Sequence, residues 1–243
     1  MKKNRWIAVL AVMVMALAGC SDPSSGGSGN LSGAGNSGVD NPVSQQPDYS
    51  KCAVGDFVLK NGTILSKDET PESGTVAAVI VRAAADGKPA LGVGIVHKKM
   101  AWCTESAEGY NTNITALQGD NGSDGWEILK KACSDAERNP ENYPAWNYSL
   151  TYAETNGLTG DLATGWYLPT VAELYTIYQN KTVVDANLSK AGGSQFGVNY
   201  YWSCCQFPSF TSFARELDFG DGDVDYDVKG INSYSVCSVR AFN

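Results

Sequence analysis

Asn199-Tyr200-Tyr201-Trp202-Ser203 opens the last forty-five residues of this 243-residue chain, Val239-Arg240-Ala241-Phe242-Asn243 closes them, and the vocabulary between is unusual. From 199 to 243 there is one Lys, Lys229, and one Glu, Glu216, whereas the preceding 148 residues (51–198) hold ten Lys and nine Glu. At that frequency the tail would contain about six, as an ordinary soluble surface does. Asp, Ser, Gly, Phe and Tyr stand in their place.

Upstream of the tail the pattern is that of one α+β domain over residues 51–243, long enough for a core of ordinary size. Apolar runs predict strands at Asp56–Leu59, Val76–Val81 and Leu91–Val96, with Ala85-Asp86-Gly87-Lys88-Pro89 as the turn between the last two. Their alternation is imperfect, which leaves the register open. Trp126, Leu129, Cys133 and Ala136 recur at helical spacing and predict a helix over Ser123–Arg138. Thr170-Val171-Ala172-Glu173 has the form of a capping box after Pro169, which predicts a second helix burying Leu174, Ile177 and Tyr178.

Trp166-Tyr167-Leu168-Pro169-Thr170, Glu173-Leu174, Tyr201-Trp202-Ser203 and Val239-Arg240-Ala241-Phe242 together resemble the C-terminal half of a C-type lectin domain of the formylglycine-generating-enzyme type. Within that group the chain is most similar to the variable proteins of bacterial diversity-generating retroelements, those of Treponema in particular. The resemblance implies a C-type lectin fold, with antiparallel sheets, two helices and a loop-rich C-terminal half. It also implies a ligand-binding protein rather than an enzyme, with no cofactor, whose ligand is a protein or cell-surface molecule. In that family reverse transcription randomises adenines at the 3′ end of the gene, so Asn codons become codons ending in a pyrimidine. Such codons cannot encode Lys, Glu, Gln, Trp or Met.

On this resemblance Trp202, Gln206, Glu216 and Lys229 are fixed scaffold, together with Trp166 and Arg240 of the framing motifs. The candidate variable, ligand-binding positions are Phe207, Pro208, Ser209, Phe210, Thr211, Ser212, Arg215, Asp218, Asp221, Asp223, Asp225, Tyr226, Asp227, Val228, Gly230, Ile231, Asn232 and Ser233, with Cys204 also open to change. Asp223, Asp225, Tyr226 and Asp227 are expected to project as one acidic and aromatic ridge. Phe207, Phe210 and Tyr226 are the rings expected at the surface, in a mixture of rigid aromatics and small polar residues such as antibody paratopes use. Phe213 and Phe219 are expected to point inward.

Other chemistry weighs less. His97 is the sole histidine; it continues an apolar strand and is read as structural, which leaves no triad or histidine metal site. Six cysteines remain beyond Cys20 (Cys52, Cys103, Cys133, Cys204, Cys205 and Cys237), an even number that suggests disulfides in an exported chain, with fifteen possible pairings. The adjacent Cys204-Cys205 admits an oxidase of the formylglycine-generating type on fold analogy alone, and structural cysteines are the preferred reading. Asp218, Asp221, Asp223, Asp225 and Asp227 invite calcium. Alternation spreads them along a strand, and the glycine and glutamate of an EF-hand loop are missing at the sixth and twelfth positions from Asp221. The lectin triplets Glu-Pro-Asn and Trp-Asn-Asp are absent as well, and Gln46-Pro47-Asp48 lies in the tether, so a calcium-dependent lectin or adhesin is the runner-up.

The N-terminal residues read as an address. Lys2, Lys3 and Arg5 precede the apolar run Ile7–Ala18, and Leu17-Ala18-Gly19-Cys20 has the form of a lipobox, so residues 1–19 are read as a signal peptide and Cys20 as the lipidated N-terminus. Two or three acyl chains anchor the chain to a bilayer without spanning it. Residues 21–50, rich in Ser, Gly, Asn and Pro, are a flexible tether with a coil reach of roughly 30 Å. Ser21 after Cys20 is compatible with export to a bacterial outer membrane and the cell surface, or with a periplasm-facing position. Removing residues 1–19 takes the net charge from −8 to −11, with 15 basic and 26 acidic side chains left. Nucleic acid and anionic lipid surfaces are poor partners for such a body, and basic or neutral ones are favoured. Cys20→Ser should shift the protein to the soluble fraction. A Cys20→Ser protein that still sediments with membranes counts against lipidation.

Overall fold

Val76-Ala-Ala-Val-Ile-Val-Arg82 forms a strand apolar except at its last residue, and the computed structural model shows why its alternation is imperfect: both of its faces are covered. The structure describes residues 47–119, 121–230 and 234–243. The signal segment, Cys20, most of the tether, and Ile231, Asn232 and Ser233 lie outside the described residues.

The strands are β1 (Phe57–Leu59), β2 (Ile64–Leu65), β3 (Val76–Arg82), β4 (Ala90–Gly94), β5 (Lys98–Met100), β6 (Trp166–Tyr167), β7 (Tyr200–Gln206), β8 (Phe213–Asp218), β9 (Val224–Val228), β10 (Tyr234–Val236) and β11 (Val239–Phe242). They form two sheets, of order β2-β1-β3-β4-β11-β6 and β5-β10-β7-β8-β9. Neighbours run antiparallel except β10 beside β7. Between β3 and β4, Asp86 and Gly87 take φ of 53° and 73°, the two left-handed positions of a tight hairpin turn.

The helices are α1 (Glu108–Asn111), α2 (Gly125–Ala132), α3 (Pro144–Leu150), α4 (Tyr152–Thr155), α5 (Val171–Gln179) and α6 (Lys181–Lys190). The helix expected over 123–138 therefore ends at Ala132. Contacts with another segment compete with its continuation: the Glu108 carboxylate accepts from Ser134 N (2.6 Å), and Asp135 accepts from Glu108 N (3.0 Å). Leu129, Cys133 and Ala136 are buried all the same. The capping box at α5 is present, with Glu173 N on Thr170 Oγ1 (3.1 Å) and Thr170 N on Glu173 Oε2 (2.9 Å). Leu174 and Ile177 are buried and Tyr178 half-buried. The two-helix expectation is too small. It misses α3, which starts at Pro144 and buries Trp146, and α6, whose Val184 and Leu188 lie one turn apart against β3.

On one side of the first sheet, Val79, Val81 and Leu91 pack with Leu174, Ile177, Val184 and Leu188, and with Tyr201, Leu217 and Phe219 of the second sheet. On the other, Ala78, Ile80 and Phe242 join a cluster holding Trp102, Trp146, Trp166 and Trp202. The tail builds both sheets: it supplies β7 to β10 and sends β11 between β4 and β6. Gly92 permits that insertion, because a Cβ there would lie 2.6 Å from the Phe242 ring. Among the described residues no helix is long and apolar enough to cross a membrane.

Trp202 has no exposed surface and donates its indole N–H to Met100 O (3.1 Å). Trp202→Ala should cost about 3–5 kcal/mol in chemical denaturation, because a buried indole leaves a cavity. Phe210, 55% exposed, should change to Ser within about 0.5 kcal/mol. Equal losses would contradict this placement of core and surface.

Candidate ligand-binding face

Of the six residues expected as scaffold, Trp202, Gln206, Glu216 and Lys229 are buried at 0–2% exposure, and three of these four tie the tail to the body by satisfied polar contacts. Gln206 accepts from Ile114 N (2.7 Å) and donates to Thr112 O and Thr211 O (3.0 Å each). Lys229 Nζ donates to Gly109 O (2.6 Å) and Thr211 O (2.7 Å) and lies 4.6 Å from the centre of the Trp102 ring. Desolvation lowers its ammonium to about 8. Trp202 holds Met100 as described. Glu216 differs: it is 2% exposed, and its Oε2 has no hydrogen-bond partner. Trp166 and Arg240 face each other across β6 and β11; Arg240 donates to Thr164 O (2.9 Å) and Asp161 O (2.7 Å), and the Trp166 indole to Leu162 O (2.8 Å).

The expected single ridge is in fact two faces. Residues opposite one another in a ladder share a face, and the register pairs Tyr200 with Asp218, Trp202 with Glu216, Glu216 with Asp225 and Ala214 with Asp227. This acidic face therefore carries Glu216, Asp218, Asp225 and Asp227 beside Tyr200 and Trp202. Tyr234 of β10 crosses it: its ring lies 4.8 Å from Trp202 and 5.1 Å from Tyr200, and its hydroxyl donates to Asp227 Oδ2 (2.6 Å), on the far edge strand. Tyr226 is opposite Arg215 and so faces the other way. There it stacks on Phe207 (3.9 Å) and meets Phe213 edge-on (5.7 Å), with Phe210 and Arg215 beside them. Phe213, expected inward, is half-buried in this surface cluster; Phe219 is buried as expected.

The turn between β8 and β9 uses its own carboxylates. Asp218 accepts from Gly220 N (2.7 Å) and Asp221 from Asp223 N (3.0 Å), the Asx pattern. Gly222, at φ 88°, sits where a Cβ would strike the Tyr178 ring. On the edge strand, Asp225 Oδ1 accepts from Tyr226 N (2.8 Å) and Asp227 Oδ1 from Val228 N (2.6 Å), which blunts the open edge of the sheet. Asp221, Asp223, Asp225, Pro208 and Ser209 are exposed; Thr211, Ser212, Arg215, Val228 and Gly230 are half-buried. A side chain at Gly230 would press Glu105 and Tyr110 at 3.1 Å, so substitution there requires them to move.

The suggested disulfides are not formed: all six described cysteines are buried and free. Cys204 is 2% exposed, which corrects the expectation that it is an open position. The Cys204 thiol hydrogen-bonds Cys205 and brings the Cys205 thiol down to about 7, while burial holds Cys52 and Cys103 up at about 11 and 12. His97 bonds Tyr201 Oη (2.9 Å) and Gly94 O (3.2 Å) and is lowered to about 4 by burial. Among the described residues no group of three His, Cys, Asp or Glu is arranged to hold a metal ion. A pocket of about 310 Å³ beside Arg82 and Tyr167 lies elsewhere, and its carboxylate, Glu173, is already bonded by Gly122 N, Tyr167 Oη and Thr170 N.

No family model matches this chain. No curated protein matches it either. Among solved structures it is similar to a fimbrial protein from Bacteroides ovatus, with a TM-score of 0.62 and 12% identity over 79% of this chain and 49% of that one. The chain thus spans about half the length of that protein, and the likeness concerns the fold.

Burial first, and then Asp227, Asp225 and Asp218, raise the Glu216 carboxyl from 4.5 to about 8. The folded state therefore holds a proton that the unfolded chain has released, and stability from this group is lost as pH rises from about 4.5 to about 8. His97 works in the opposite sense between about 4 and 6.5. The difference in unfolding free energy between wild type and Glu216→Gln cancels that contribution and should fall steadily across the window. A flat difference would show that Glu216 is ionised in the fold.

Proposed function

We propose that this chain is a lipid-anchored surface protein that binds a protein or cell-surface ligand through its C-terminal sheet, on a C-type lectin scaffold of the retroelement-variable type. The observation that carries the reading is the division of the tail by burial. The residues that adenine randomisation cannot produce, Trp202, Gln206, Glu216 and Lys229, are buried, while Asp221, Asp223, Asp225, Tyr226 and Phe210 are exposed on β9 and its flanking loops. Such a division lets side chains change at the surface while buried ties keep the backbone in place. Exposed rings on one face and carboxylates on the other supply contact area and charge for recognition. The lipobox at Cys20 and the tether supply anchor and reach, and the likeness to a fimbrial protein is in keeping with display outside the cell. Burial of Cys204 and Cys205 favours a packing role for the pair over oxidase chemistry.

Tyr226 is 41% exposed yet stacked on Phe207, so Tyr226→Ala should cost about 1 kcal/mol of stability and about 2 kcal/mol or more of affinity where it anchors a ligand. The decisive experiment is genetic. Sequencing the locus in many isolates should place differences at Phe207–Ser212, Arg215, Asp218, Asp221–Val228 and Gly230–Ser235, sparing the four buried residues. A near-copy of codons 199–243 with adenines at the variable codons should lie nearby. An invariant tail with no such template anywhere in the genome would end the diversification reading.

A further inference from the structure

Glu216 is the one buried tie of the tail that ties nothing. Apart from Trp202 opposite it on β7, its neighbours on this face are carboxylates: Asp225 opposite it on β9, Asp218 two residues along, and Asp227 two residues from Asp225. Among the described residues none of the four forms an ion pair; Lys51, Lys130 and Lys181 pair with Asp48, Glu127 and Asp185 elsewhere in the fold. Arg215, the nearest cation in sequence, alternates to the opposite face and lies over Phe207. Tyr200 and Tyr234 flank the carboxylates, with rings 5.1 Å apart, and Tyr200 is 41% exposed. The Tyr234 hydroxyl is already committed to Asp227, and Tyr200 lies opposite Asp218 in the ladder, so both rings stand beside the cluster.

A buried carboxylate oxygen with no donor is costly unless something else supplies one. A donor that also brings positive charge would relieve the repulsion among Asp218, Asp225 and Asp227 and let the Glu216 carboxyl give up its proton. Carboxylates joined with the exposed Tyr200 ring and the half-buried Tyr234 ring suit a cation that carries several N–H groups on an apolar stem, since the stem packs on the rings and the charge interacts with them. A metal ion fits poorly, because no three of these groups converge to ligand distance among the described residues. We propose that this face is a receptor for a lysine side chain presented by a partner protein, with Glu216, Asp225 and Asp227 receiving the ammonium and Tyr200 and Tyr234 the stem. This names the ligand class of the binding face assigned above and rests on that assignment. It also fits a body of net charge −11 without its signal segment, which draws basic surfaces toward it.

The full chain in detergent micelles, labelled with nitrogen-15, is titrated with Nα-acetyl-lysine methylamide at constant ionic strength. Saturable shifts are expected at the Trp202 indole and at the amides of Glu216, Asp225 and Tyr234. Glu216→Gln and the double change Asp225→Asn, Asp227→Asn should each weaken binding about tenfold or more, a loss of about 1.4 kcal/mol. Glu137→Gln, which removes the same charge from an exposed site, should leave binding unchanged. The double variant keeps the test open if Glu216→Gln fails to fold. Equal shifts with the norleucine analogue, equal shifts with calcium chloride, or binding indifferent to both acidic variants would overturn the proposal. A variable tail with no lysine response would refute this inference alone, whereas an invariant tail with no template would refute the diversification reading and leave a lysine response standing.

Discussion

The ladder between β11 and its neighbours β4 and β6 is the constraint on which the rest of the tail depends. Because Val239–Phe242 lies inside the first sheet, the chain must leave the core at β7, build three further strands, and return to within reach of β4. Both ends of the excursion are therefore held by buried apolar residues, Trp202 at one and Val239 and Phe242 at the other. Loops fixed at both ends to a rigid scaffold can change sequence at small cost to the fold. A free tail of the same composition would bury too little to stay ordered.

Between those ends the polar interior does the fine placement. Gln206 and Lys229 share one acceptor, Thr211 O, and reach out to Thr112 and Gly109 in the preceding half of the domain. A buried amide and a buried ammonium are tolerated because nearly all their donors find carbonyls or a ring face. They fix the start of β8 and the end of β9 without depending on the side chains at Phe207–Ser212. Glu216 is the exception within the same strand pair, and its raised carboxyl records the crowding of Asp218, Asp225 and Asp227. Positions that bind only themselves and each other are where a ligand has most to offer.

Edge control and the proposed recognition share residues here. Asp225 and Asp227 accept from the outward amides of β9, so the strand does not present bare donors to another chain. The same carboxylates supply the charge of the acidic face, while Phe207, Phe210, Phe213 and Tyr226 gather on the reverse. Two chemically different surfaces thus arise from one alternating strand.

Much of the scaffold was legible in the chain. Thr170 and Glu173 announce α5 because a capping box is local, and Asp86-Gly87 announces its hairpin because only such residues accept positive φ at both turn positions. The scarcity of Lys and Glu in the tail singled out residues that proved to be buried. Local spacing could not show α6, whose apolar stripe is narrow, nor the early end of α2, which Glu108 and Asp135 decide from another segment. Nor could it show that Tyr226 and Asp225 look in opposite directions as parts of separate clusters, since that needs the register of β9 on β8. The free state of the six cysteines and the unmet oxygen of Glu216 likewise come from long-range packing. Propensity, capping and composition act within a few residues and are written in the sequence; pairing partners, burial and charge crowding are set between residues far apart in the chain, and only the tertiary structure decides them.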